Sequence, residues 1–112
     1  MPRLAPWQER LAKDIMGSQI SSRVQMQQIP RSCRLSLSYF IRAFGDSVGV
    51  APYRWLLDER VERAKRLLSE TNVSLAEIAL DCGFVDQSHL TNVFGRRVGT
   101  TPGRWRAALP KA

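Results

Sequence analysis

The chain has 112 residues, enough for one compact domain or two very small ones, and its 44% apolar content suffices for a core, which excludes a mainly disordered chain. Seventeen Lys and Arg stand against ten Asp and Glu, a formal charge of +7 that favours nucleic acid or an anionic surface as partner. No apolar run approaches the roughly 18 residues of a membrane helix, no basic-then-apolar stretch followed by a small-residue cleavage site is visible, so a signal peptide is not expected, and two cysteines are too few for a disulfide scaffold, so both are expected reduced in a cytoplasmic protein without metal or other cofactor.

Taken in chain order, Trp7, Leu11 and Ile15 recur at i, i+4, i+8 behind Pro6, which predicts a short amphipathic helix ending near Gly17 with its tryptophan in the core. Val24, Met26 and Ile29 suggest a second helix. Pro30 falls inside it, at a cost of about 3 kcal/mol in a regular helix interior, so this helix is expected to be kinked, loose or short. Leu35 plugs a turn, Ser36 can cap the next helix, and Phe40, Ala43 and Phe44 give that helix a buried face.

A long helical pattern follows from about Pro52 to Glu70. Leu56, Leu57, Val61, Ala64, Leu67 and Leu68 form its apolar face, while Asp58, Glu59, Arg60, Glu62, Arg63, Lys65 and Arg66 form a solvated one laced with i,i+4 pairs. At about 1.5 Å per residue it makes a rod of roughly 28 Å. Thr71 and Asn72 end it. Ser74, with Glu77 three residues on, opens a helix carrying Leu75, Ile78 and Ala79. Gly83 turns the chain and Phe84 plugs the turn. Asp86 can cap a further helix whose apolar face is Leu90, Val93 and Phe94. Gly99 and Pro102 separate it from a terminal helix with Trp105, Ala108 and Leu109. The fold class is all-α, with about seven helices.

The segment from Phe44 to Trp55 returns from Phe94 to Trp105, with seven identities in twelve positions, 50 residues apart. Upstream, Ile29 pairs with Ile78 and Cys33 with Cys82 at a shift of 49, so one residue is inserted between Cys82 and Phe94. Each copy reads helix, short turn, helix, the helix-turn-helix signature. The domain is expected over residues 5–109: a first unit over 5–51, a linker helix over 52–71 and a second unit over 72–109. Arg34 stands where the second copy has Gly83, at a cost of about 1 kcal/mol where that residue is left-handed.

In such units the second helix enters the major groove of double-stranded DNA and its exposed face reads bases. Opposite the buried residues lie Leu37, Ser38, Ile41 and Arg42 in the first copy and Gln87, Ser88, Thr91 and Asn92 in the second. Arg suits guanine, Gln and Asn suit adenine, and Ile or Leu suits a thymine methyl. Arg34, Arg54, Arg96, Arg97, Arg104 and Arg106 are the candidate phosphate contacts, joined by His89 as a packing or phosphate residue. Two such helices joined by a rod could enter successive grooves about 34 Å apart, so a monomer would read an asymmetric, two-part target.

The residues Ala64-Lys65-Arg66-Leu67-Leu68, Leu75-Ala76-Glu77-Ile78-Ala79, Cys82-Gly83-Phe84 and Asp86-Gln87-Ser88-His89-Leu90, followed by Phe94, Gly99, Thr101-Pro102 and Trp105-Arg106, resemble the DNA-binding domain of AraC/XylS-type bacterial transcription regulators. The first half matches through Leu35-Ser36, Tyr39-Phe40, Arg42-Ala43-Phe44 and Gly49-Val50-Ala51-Pro52. The resemblance spans roughly residues 5 to 109. It implies a seven-helix, two-unit fold, promoter binding at the bacterial nucleoid, and activation through contact with RNA polymerase. Pro30, Gly45 and Gly95 depart from the family's usual residues. Members often carry a separate effector or dimerisation domain, so a monomer is expected for this chain and a dimer where such a domain stands upstream.

Other readings compete. Cys33 and Cys82, one per copy, suit a core better than a metal site, which needs clustered ligands. Trp7, Trp55 and Trp105 suit packing better than base stacking. An enzyme would need a nucleophile with its base, paired carboxylates or a phosphate loop, and the sequence offers none of these. An interaction module that modulates another regulator or RNA polymerase is the main rival, and it predicts weak DNA binding with little salt dependence. RNA binding is more distant, for no aromatic sheet platform is suggested.

Overall fold

The computed structural model describes residues 2–21 and 28–110. Its elements are α1 (Pro6–Ser18), α2 (Gln28–Ser32), α3 (Leu37–Val48), α4 (Pro52–Glu70), α5 (Leu75–Asp81), α6 (Gln87–Val98) and α7 (Pro102–Ala107), with no strand among the described residues. The chain forms two compact units, residues 1–56 and 57–112. The opening residues of α4 belong to the first unit and the remainder to the second. Val24 and Met26 lie outside the described residues.

In the first unit, Ala12 and Met16 of α1, Ile29 and Cys33, Phe40, Ala43 and Phe44 of α3, and Leu56 of α4 form a buried core together with Leu4 and Ile20. The Phe44 ring meets Trp55 edge-on, with centroids 6.3 Å apart. The buried seam of α1 is Ala12 and Met16, with Leu11 and Ile15 only flanking it, so the apolar stripe is turned from the expected one and Trp7 is left 49% exposed. The core placement of Trp7 is thereby corrected. A helix this short can roll to seat its small and flexible residues, Ala and Met, and let a bulky ring lie outside.

The second unit repeats the plan. Val61, Ala64 and Leu68 of α4 take the part of α1, Ile78, Ala79 and Cys82 that of α2, and Leu90, Val93 and Phe94 of α6 that of α3. Trp105 of α7 meets Phe94 edge-on at 5.9 Å, the counterpart of the pair in the first unit. Proline opens the helices that carry Trp55 and Trp105, at Pro52 and Pro102, where a missing N–H costs nothing. Within α4 the polar face is less solvated than its sequence suggests: Arg60 is only 5% exposed. Ala108 and Leu109 fall beyond the end of α7.

Both turns are built alike. Leu35 N–H donates to Pro30 C=O (2.8 Å) and Arg34 N–H to Arg31 C=O (3.1 Å); Phe84 N–H donates to Ala79 C=O (2.9 Å) and Gly83 N–H to Leu80 C=O (3.1 Å). This double bond pattern closes a helix C-terminus on a left-handed residue, here Arg34 (φ 60°) and Gly83 (φ 82°). Pro30 takes part through its carbonyl and lies within α2. Gln8 adds a clamp: its side chain accepts from Ala5 N–H (2.8 Å) and donates to Cys33 C=O (3.0 Å), joining α1 to the end of α2.

Candidate nucleic-acid interface

Each second helix starts on a side-chain cap. Ser36 accepts from Tyr39 N–H (3.3 Å) and Asp86 from His89 N–H (2.8 Å). Each ends on a left-handed glycine, Gly49 and Gly99. These stops set α3 and α6 to the same twelve-residue length. They also locate the inserted residue. Leu35 is followed directly by the cap Ser36, whereas Val85 stands between Phe84 and Asp86, 78% exposed.

His89 explains how the longer turn is held. Its Nδ1 accepts the Val85 N–H at 3.1 Å, and its ring stands edge-on to Phe84 with centroids 5.2 Å apart. With Nδ1 accepting, Nε2 is the ring nitrogen left to donate. The packing half of the expectation for His89 thus has a defined geometry.

On α3 the four candidate reading residues, Leu37, Ser38, Ile41 and Arg42, are all exposed. On α6, Gln87, Ser88 and Asn92 are exposed and Thr91 is half-buried. The pairs Leu37/Gln87, Ser38/Ser88, Ile41/Thr91 and Arg42/Asn92 are equivalent at a shift of 50. The chemistry of the two faces differs: that of α3 is apolar apart from Ser38 and Arg42, that of α6 polar throughout.

The arginines divide into free and committed ones. Arg34, Arg54, Arg96 and Arg104 are exposed. Arg97 is partly exposed and its Nε donates to Asp58 of α4, which leaves the two terminal nitrogens for another anion. Arg106 departs from the phosphate expectation. Its Nε donates to Leu68 C=O (3.2 Å), one terminal nitrogen to Val73 C=O (2.7 Å) and the other to Thr71 C=O (3.2 Å). The guanidinium satisfies carbonyls at the C-terminal end of α4 and in the segment after it, where helix geometry supplies no donors. Sequence reasoning could place Arg106 on α7 but not see those carbonyls.

Charge is uneven. Residues 1–56 hold eight Lys and Arg against three acids, while residues 57–112 hold nine against seven. Cys33 and Cys82 are fully buried. Burial pushes both thiols up, Cys82 to about 11, where Asp81 adds to the rise and the guanidinium of Arg63 opposes it. Among the described residues no group of three or more His, Cys, Asp or Glu could hold a metal ion, and no helix is long and apolar enough to cross a membrane.

Residues 31–108 match the family model of a helix-turn-helix domain. The transcriptional regulator ExsA of Pseudomonas aeruginosa is 34% identical over 82 residues, covering 73% of this chain and 30% of that protein. The virulence regulon transcriptional activator VirF of Yersinia enterocolitica is 31% identical over 99 residues, covering 88% and 36%. The chain therefore spans about a third of the length of these curated relatives. Among solved structures, the DNA-binding domain of the global transcriptional factor AdpA, in complex with a target DNA, is 29% identical with a TM-score of 0.83, covering 89% of this chain and 90% of that one. An AraC-type regulator of Chromobacterium violaceum is 27% identical with a TM-score of 0.83, covering 93% and 95%. Matched over most of its length and built twice on one helix-turn-helix plan, the chain belongs to the family of AraC-type helix-turn-helix domains.

Proposed function

We propose that this chain is the double-stranded DNA-reading part of a bacterial transcription regulator, an activator that works in the cytoplasm at the nucleoid and touches RNA polymerase. The observation that carries the reading is the duplicated face: four equivalent, outward positions on two capped helices of equal length, each behind the same left-handed turn. Arg42, Gln87, Ser88 and Asn92 supply hydrogen-bonding edges for bases, with Ser38 and Thr91 beside them. Arg34, Arg54, Arg96, Arg104, the outer nitrogens of Arg97 and Nε2 of His89 supply phosphate contacts. Because three of the four equivalent reading pairs differ, the two half-sites differ in sequence, and one chain serves both as a monomer. Relatives named as regulators and activators, and a neighbour solved on its target DNA, support this assignment.

Selection from a random duplex library, followed by titration across salt, tests it. A two-part, asymmetric motif is expected. If the four exposed arginines each meet a phosphate, log K should fall against log salt with a slope of about −3 to −4. Failure to enrich any sequence, with flat salt dependence, would refute DNA reading and favour the interaction module.

A further inference from the structure

The reading face of the first unit contains a feature that base-edge hydrogen bonding does not use. Leu37, Phe40 and Ile41 of α3 and Ala51, Pro52 and Tyr53 at the start of α4 line an open apolar groove of about 140 Å³. Its outer walls are unusually exposed for their type: Leu37 41%, Ile41 44% and Tyr53 53%. The equivalent positions in the second copy are Gln87, Thr91 and Gly103, so three apolar walls are replaced by two polar side chains and none. Phe40 and Pro52, at the floor, have buried counterparts in Leu90 and Pro102, so the fold requires the floor but not the walls.

An apolar groove normally invites another apolar protein surface. Here its setting is cationic. Exposed Arg42 and Arg54 directly follow the wall residues Ile41 and Tyr53, exposed Arg34 lies one turn ahead of α3, and residues 1–56 carry five of the seven net positive charges. The surroundings therefore select a polyanion, and the groove selects an apolar group on it. In the DNA major groove that group is the C5 methyl of thymine, which projects from the base edge without competing for its hydrogen bonds.

We propose that this groove seats thymine methyl groups, which makes Leu37, Ile41 and Tyr53 specificity-determining residues and the first half-site thymine-containing. The proposal rests on the DNA-reading function above and assigns its chemistry. Arg42, one residue beyond Ile41, addresses the neighbouring base edge, while the second half-site is read by hydrogen bonds alone. Tyr53 enters this role from α4, outside the recognition helix.

The test uses the intact chain and its selected duplex. Each thymine is replaced in turn by deoxyuridine, which removes the methyl and keeps the pairing edge. At one or two adjacent thymines of one half-site, affinity should fall roughly fourfold per methyl, the equivalent of one buried carbon. Deoxyuridine in the other half-site should change nothing. A Leu37→Gln/Ile41→Thr variant, which copies the second unit at exposed positions, should keep its thermal midpoint and lose the difference between thymine and deoxyuridine; Tyr53→Ala should reduce it. Insensitivity to deoxyuridine at every position, in a chain that still binds its duplex with steep salt dependence, would overturn the groove assignment and leave DNA reading intact. Absence of any selected duplex would overturn both. Concentration-dependent dimerisation that the double variant abolishes would assign the groove to a second copy and overturn the proposal.

Discussion

Arg34 at φ 60° and Gly83 at φ 82° occupy the same left-handed place in the two helix-turn-helix turns, each donating its N–H three residues back. A side chain in that conformation crowds the following carbonyl, which costs about 1–2 kcal/mol and which glycine avoids. The first unit tolerates the strain because Leu35 and Pro30 close the turn around it. Arg34→Gly should therefore raise the unfolding free energy by about 1 kcal/mol, less than the full strain because glycine frees the unfolded chain. Urea titration measures this. The same variant should weaken duplex binding if Arg34 meets a phosphate as proposed, since that contact is lost. Gain of stability with loss of affinity separates the two roles.

Gly45 and Gly95 sit within α3 and α6 in register, and a Cβ at either would meet nothing within 4 Å. Neither requires a glycine conformation. Gly45→Ala and Gly95→Ala should each stabilise the chain by about 0.5–1 kcal/mol through helix propensity. Thermal denaturation of the single and double variants checks the size and additivity of the effect, and a destabilised variant would refute it.

Arg104 and Arg106 are two residues apart and should behave oppositely. Arg106→Ala removes the donors for the carbonyls of Leu68, Thr71 and Val73 and should cost about 1–3 kcal/mol of stability. Arg106→Lys should recover little, because a single ammonium cannot replace the three separate guanidinium nitrogens that donate to these carbonyls. Arg104→Ala should leave the thermal midpoint in place and reduce the salt slope of duplex binding by about 1.

The buried thiols give stability a pH dependence at the alkaline end. Cys82 titrates at about 11 in the folded chain because burial disfavours the thiolate, against an ordinary 9.0. Between those values the unfolded chain releases a proton that the folded one keeps. The stabilisation is complete below pH 9 and is lost as pH rises toward 11. Cys82→Ala should flatten this part of the profile. A thiol reagent at neutral pH should label neither Cys33 nor Cys82 until the chain unfolds, and rapid labelling of the native protein would contradict their burial.

Much of this was legible before any coordinates, because short-range physics decides it. Ser36, Ser74 and Asp86 cap the helices they precede, α4 runs from Pro52 to Glu70, and Phe40, Ala43 and Phe44, like Leu90, Val93 and Phe94, are buried. Caps act within three residues and a helix face repeats within four, so one stretch of chain contains the whole cause. The proposed reading positions, all exposed but the half-buried Thr91, follow as the opposite side of the same helices.

What needed the tertiary structure involves partners distant along the chain. Trp7 looked like a core residue by spacing and lies half outside, because the surface that α1 packs on comes from residues some twenty to forty positions away. Arg60 belonged to a charged face by pattern and is buried. Arg106 and Arg97 read alike as cations, yet one clamps the carbonyls after α4 and the other pairs with Asp58 across 39 positions. The apolar groove joins Leu37 and Ile41 to Tyr53 across the end of a helix and a turn. The amino-acid sequence by itself determined the helices, the duplication and the outward faces, through local capping and periodicity. The choice of buried face on α1, the fate of each cation and the groove were decided by packing, because each depends on which surface a residue meets once the elements of its own unit have come together.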